Sequence, residues 1–153
     1  MSDDKLVIRR ASLDDLDAVA ACARAAYSKY LGRMDKEPAP MNADFERQIS
    51  QGMVWVATKA HRLVGYVVFY AQGPDGLHLE NIAVIPEMSG RGIGKALVQH
   101  VEEAARRAGK AAVELYTNEA MVENLAMYPK LGFVAIERKL QDGFDRVFFR
   151  KTL

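Results

Sequence analysis

Cysteine is nearly absent from this chain, with Cys22 the one thiol in 153 residues. That excludes an internal disulfide and any zinc site built from clustered cysteines. No stretch approaches the length of about 18 apolar residues that a membrane span needs, and no apolar run opens the chain as a signal peptide would. The expectation is a cytoplasmic protein with no membrane partner. Excess charge of either sign is missing too: 21 Lys and Arg stand against 20 Asp and Glu. No general field gathers nucleic acid, so none is expected as a partner, and any anion site has to be built locally. Cys22 sits in an Ala-rich helical pattern and reads as a small buried hydrophobe. The length fits one domain over residues 1–153 with room for a full core.

What the chain does have is three glycines at alternate positions in Pro86-Glu87-Met88-Ser89-Gly90-Arg91-Gly92-Ile93-Gly94-Lys95-Ala96-Leu97. Glycine lets successive backbone N–H groups converge on an anion, and a helix start adds unpaired N–H groups and a positive dipole end. This is a phosphate cradle at a strand-to-helix junction. A P-loop would need Gly five positions before Gly94 and Ser or Thr after Lys95, where Ser89 and Ala96 stand. A dinucleotide fingerprint counted from Gly90 or from Gly92 needs a further Gly where Lys95 or Leu97 stands. Both nucleotide readings fail.

Pattern and punctuation give an element order of β-α-α-β-β-β-α-β-α-β-β. Leu6 to Arg10 reads as a strand, and Ser12 caps a helix whose apolar stripe is Leu13, Leu16, Val19 and Ala20. Tyr27 to Pro40 is irregular, and Phe45 to Ile49 is a short helix. Val54 to Ala57 and Leu63 to Tyr70 form a hairpin about Lys59 to Arg62, and a strand from Leu77 ends at Val84. A helix from Ile93 stops at Gly109; then come a strand over Ala111 to Thr117 and a helix over Glu119 to Met127. Phe133 to Leu140 and Phe144 to Lys151 close the chain as a hairpin around Gln141-Asp142-Gly143.

Ser89 to Gly94, after a strand and before an amphipathic helix, resembles the acetyl-coenzyme A loop of the GNAT N-acetyltransferase superfamily. Tyr128-Pro129-Lys130-Leu131-Gly132-Phe133 is similar to that family's Tyr-x-x-x-Gly-Phe segment, which closes the far side of the same cleft. The resemblance covers nearly the whole chain. It implies an α/β (α+β) fold: a mixed, mostly antiparallel sheet of about seven strands flanked by about four helices. It also implies acetyl transfer from acetyl-coenzyme A to a primary amine of a small molecule or peptide, directly in a ternary complex and without a metal. A non-catalytic acyl-coenzyme A sensor on the same fold is the alternative. Family members are often dimers, so a homodimer is possible.

By position, the resemblance lays the pantetheine arm along Ile82, Ala83 and Val84, with the N–H of Ile82 or Val84 toward the thioester carbonyl. The pyrophosphate falls to the N–H groups of Ser89, Gly90, Arg91, Gly92, Ile93, Gly94 and Lys95. Strand alternation puts His78, Glu80, Ile82 and Val84 on one face, and family members with a side-chain base often carry Glu or His there. Glu80 is the preferred base and His78 the second candidate. Tyr128 matches the position that protonates the departing thiolate, and its phenol, with a reference pKa of about 10, is a donor at neutral pH. Three departures stand out. Ser89 replaces the usual Gln or Arg. Met121 stands where many members have Asn, leaving Asn118 or Asn124 to contact the cofactor. Pro129 follows Tyr128 and disfavours helix at it.

Overall fold

Turn chemistry and hydrophobic period divide the chain much as the sequence predicts. The computed structural model describes residues 5–33, 43–141 and 143–153. Its elements are β1 (Val7–Arg10), α1 (Leu16–Tyr27), α2 (Phe45–Ser50), β2 (Val54–Lys59), β3 (Arg62–Gln72), β4 (Gly76–Val84), α3 (Ile93–Arg107), β5 (Ala112–Asn118), α4 (Val122–Lys130), β6 (Val134–Gln141) and β7 (Phe144–Thr152). Short 3-10 turns occupy Leu13–Asp15, Ser28–Arg33 and Pro86–Met88. Most of the expected irregular stretch beyond Tyr27 falls on residues 34–42, outside the described residues, as does Asp142. The β2–β3 turn is two residues long, with Ala60 and His61 at φ 51° and 62°. That is the left-handed pair that a tight hairpin needs.

The seven strands hydrogen-bond in the order β1-β2-β3-β4-β5-β7-β6. β4 and β5 run parallel with Leu77 opposite Val113, which requires the crossover that α3 provides. β1 with β2, β2 with β3, β5 with β7 and β6 with β7 are antiparallel. The described residues gather into two compact units, one within Met1–Phe69 and Asn81–Gln99, the other formed by Tyr70–Glu80 and His100–Leu153. The first buries Val19, Val54, Val56, Tyr66, Val68 and Leu97. The second buries Leu79, Val101, Val113, Leu115, Val147 and Phe149.

Two expectations shift. α1 buries Val19, Cys22, Ala23 and Tyr27, whereas Leu13 lies in the preceding 3-10 turn and is exposed. α4 begins later than expected and continues through Pro129 to Lys130. Proline in the last turn removes only one helical bond, and the helix stops one residue later.

Both long-range motifs of the sequence end in the same device. After α3, Lys110 N–H reaches the Ala105 carbonyl at 2.9 Å and Gly109 N–H the Arg106 carbonyl at 3.1 Å, with Gly109 at φ 71°. After α4, Phe133 N–H reaches the Tyr128 carbonyl and Gly132 N–H the Pro129 carbonyl, each at 3.1 Å, with Gly132 at φ 95°. These are Schellman caps. In the second, the hydrophobic contact that accompanies such a cap is the Tyr128 ring against Phe133, 5.8 Å between centroids. The Tyr-x-x-x-Gly-Phe spacing is therefore the spacing of a helix stop, and it fixes where Tyr128 points. A Cβ on Gly132 would lie 3.0 Å from Lys151 Cε, and Lys151 is pinned to Glu102 at 2.9 Å and to the Leu131 carbonyl at 2.8 Å. Gly132→Ala is expected to cost about 1–2 kcal/mol through left-handed strain plus displacement of Lys151. Urea denaturation checks it, and a loss below about 0.3 kcal/mol would refute the cap's role.

Candidate functional site

The glycine loop starts where β4 ends. Ser89 N–H closes a turn on the Pro86 carbonyl at 3.1 Å, so it is turned inward and does not serve the anion as expected. From Gly90 onward the backbone opens. Gly90 and Gly92 adopt φ 77° and 81°, a conformation that side-chain-bearing residues resist. A Cβ on either glycine would meet nothing within 4 Å. The first helical bond of α3 runs from Ala96 N–H to the Gly92 carbonyl at 3.0 Å. The N–H groups of Ile93, Gly94 and Lys95 thus have no partner within the helix by construction, and the dipole end faces the same opening. Arg91 and Lys95 are exposed, while the Ile93 side chain is buried in the core. This geometry fits a polyanion held chiefly by backbone.

Gly65, which sequence reading passed over, seats this helix. A Cβ there would lie 2.9 Å from the Ala83 carbonyl and 3.3 Å from Leu97 Cδ1. A lone glycine inside a β-branched strand was the available signal of close approach. Glu87, next to the loop, is paired with Arg62 at 2.8 Å, both exposed. Cys22 is buried, and burial with the nearby Glu87 charge pushes its thiol up to about 12, so it is inert as a nucleophile.

Upstream on the same strand, Tyr70 donates its hydroxyl to Glu80 Oε1 at 2.8 Å, and His78 Nε2 lies 4.0 Å from that oxygen. Glu80 is partly exposed and His78 is buried. The His78 ring is 5.4 Å from both Tyr70 and Tyr116. Burial lowers the His78 pKa below its usual value, with Glu80 and Glu114 opposing, so the imidazole is neutral at pH 7 and able to accept a proton. Tyr70 and Tyr116 were absent from the sequence reading, although the short Gly73-Pro74-Asp75 turn and strand alternation set Tyr70 across from His78.

The expected common face of His78, Glu80, Ile82 and Val84 does not hold. By alternation Tyr66 and Tyr70 share one face of β3. Tyr70 bonds Glu80, while Asn81 lies beside the Tyr66 hydroxyl and 3.1 Å from that of Tyr27. Successive residues of β4 therefore turn the same way, as at a β-bulge, and Val84 Cγ2 instead lies 4.0 Å from the position of a Cβ on Gly94.

Tyr128 is buried, with its ring 5.8 Å from Phe133 and 5.6 Å from Phe149. Phe149 pairs with Leu115 and Phe148 with Tyr116, so Tyr128 packs on the sheet face opposite the one that carries His78 and Tyr116. Asn118 Oδ1 accepts from Ala120 N–H at 2.8 Å. Asn124 Nδ2 is directed at Thr117 Oγ1 at 3.5 Å and at Met121 Sδ at 3.8 Å. Both amides therefore serve the turn before α4. Among the described residues no group of three or more His, Cys, Asp or Glu side chains is arranged to hold a metal, and no helix is long and apolar enough to cross a membrane.

Residues 18–133 match the model of the acetyltransferase (GNAT) family. The chain belongs to the GNAT acetyltransferase family. Among curated relatives, an uncharacterized N-acetyltransferase, YvbK, of Bacillus subtilis is 28% identical over 58% of this chain and 57% of its own length. Glucosamine 6-phosphate N-acetyltransferase of Trypanosoma brucei brucei is 39% identical over 42% of each chain. The match thus spans about half the length of these relatives. In structure, PaiA N-acetyltransferase of Thermoplasma acidophilum in complex with coenzyme A superposes with a TM-score of 0.79, 21% identity, and coverage of 97% of this chain and 99% of that one. This likeness shows the GNAT fold with its seven-stranded mixed sheet and four helices.

The loop geometry sets an order among its residues. Gly92→Val is expected to weaken coenzyme A binding by about tenfold or more, because the left-handed turn is lost and a side chain enters the opening. Lys95→Ala removes one exposed charge, worth a factor of about two to five. Titration calorimetry with coenzyme A compares them, and equal affinities for both variants would refute a backbone-held anion.

Proposed function

We propose that this GNAT protein transfers an acetyl group from acetyl-coenzyme A to a primary amine of a small molecule or peptide, directly within a ternary complex. The observation that carries this reading is one continuous segment, Gly76 to Arg107. It bears a partly exposed carboxylate held by Tyr70, a neutral imidazole beside it, and an open glycine loop at a helix start. A neighbour of the same fold is described in complex with coenzyme A, which supports the loop's assignment to that ligand. Acetyl-coenzyme A would supply the acyl group as a thioester.

In this reading Gly90 to Lys95 hold the pyrophosphate, and the backbone of Ile82 to Val84 pairs with the pantetheine arm. An N–H of Ile82 or Val84 faces the acyl oxygen and stabilises the charge that develops there. Glu80, its Oε1 fixed by Tyr70 at 2.8 Å, takes the proton of the attacking amine directly or through water, and His78 relays or shares it. Tyr128 gives its phenolic proton to the departing thiolate. Base and acid come from opposite sheet faces, Glu80 serving the incoming amine and Tyr128 the outgoing sulfur. Asn118 and Asn124 would touch the cofactor only by leaving their local bonds. The protein would work in the cytoplasm.

Thiol release with a panel of amines tests the function, and coenzyme A binding without turnover on any amine would instead mark a sensor. Glu80→Gln is expected to lower turnover while leaving acetyl-coenzyme A affinity nearly unchanged. Wild-type rates from pH 6 to 9 would remove Glu80 from the chemistry. Tyr128→Phe keeps the ring between Phe133 and Phe149 but loses the proton, and turnover at saturation should fall about 10²-fold or more. A change within about twofold would leave Tyr128 a packing residue.

A further inference from the structure

A buried polar cluster lies behind the strand segment assigned to the acyl group. Tyr27, the last residue of α1, places its hydroxyl 2.7 Å from the Ile82 carbonyl and 3.1 Å from the Asn81 side-chain oxygen. A phenol has one proton and cannot donate to both. Asn81 Nδ2 and the Tyr66 hydroxyl, both buried, have no hydrogen-bond partner in this arrangement, although Asn81 lies beside the Tyr66 hydroxyl. Turning the Asn81 amide over gives each hydroxyl proton and one amide proton an acceptor. Tyr66 then donates to Asn81 oxygen, Asn81 nitrogen donates to the Tyr27 oxygen, and Tyr27 donates to the Ile82 carbonyl. Phe45 holds the Tyr66 ring edge-on at 5.5 Å, and burial keeps that phenol protonated across the working pH range.

The edge on which this relay ends is set by alternation. Ile85 N–H bonds the Val64 carbonyl of β3 at 2.9 Å, and the Ala83 carbonyl faces Gly65 of β3. Residues Ile82 and Val84 therefore present N–H and C=O together at the edge away from β3. An uncapped Ile82 carbonyl beside the Ile82 N–H would repel negative charge developing on an acyl oxygen there. A hydroxyl donated to that carbonyl cancels part of its dipole, and a relay of donors strengthens it.

We infer that Tyr27 is a positioning residue whose hydroxyl caps the Ile82 carbonyl, so that this edge offers the acyl oxygen a donor without a competing acceptor, with Asn81 and Tyr66 holding the cap. The inference rests on the acetyl-transfer reading above. Its effect belongs to the transition state, where the charge exists, and not to ground-state binding.

The test is Tyr27→Phe, which keeps the ring and removes the hydroxyl. At saturating donor and acceptor, kcat should fall by about tenfold or more while KM for acetyl-coenzyme A stays within about twofold. In the unliganded protein, the carbonyl 13C resonance of Ile82 should move while the circular dichroism spectrum is retained. Tyr66→Phe should give a smaller fall, and the double variant should be no worse than Tyr27→Phe alone. Unchanged kcat, a rise in KM at constant kcat, or an unmoved Ile82 resonance would overturn the inference. If the wild type turns over no amine, the acetyl-transfer reading fails instead, and the Ile82 resonance still decides whether the cap exists.

Discussion

The β4–α3 junction depends on keeping a few backbone N–H groups uncovered while those of the strands and helices around it are paired. Backbone polar groups left without partners in the interior are costly, so a fold leaves them open along a free strand edge, where a strand ends or where a helix begins. The β4–α3 junction is such a place. Gly90 and Gly92 turn the chain through left-handed conformations, and Gly65 lets α3 come down close to the strand pair. The opening is made of absent side chains.

β4 divides its backbone between two uses. Ile85 and Ala83 address β3, while Ile82 and Val84 address the other edge, where Tyr27 already takes the Ile82 carbonyl at 2.7 Å. The side chains of the strand are shared out in a similar way. Glu80 is held by Tyr70, and Asn81 turns to Tyr27. A strand with strict alternation could not send both of these neighbours to the same face.

Helix stops do comparable work away from the loop. The cap after α4 brings Tyr128, Gly132 and Phe133 together through two backbone bonds at 3.1 Å. A proline at position 129 is tolerated because the helix has one residue left to run. The motif legible as a family signature is thus also a local folding unit, and its glycine is required by φ.

The sequence by itself determined the element order, the glycine loop and the family resemblance, and it nominated Glu80, His78 and Tyr128 as candidates, because these follow from local period, turn chemistry and short spacings. The edges of α1 and α4 were less legible, since Leu13 is apolar yet exposed and Pro129 argues against the helix that contains it. Only the tertiary structure decided that Tyr70 holds Glu80, that Tyr116 flanks His78, that Gly65 seats α3, and that Tyr27 reaches Ile82 across 55 positions of chain. These are contacts between distant segments or consequences of a one-residue shift in register. Neither composition nor periodicity encodes them locally, because which side chain fills a neighbour's open valence depends on how strands and helices pack once they have formed.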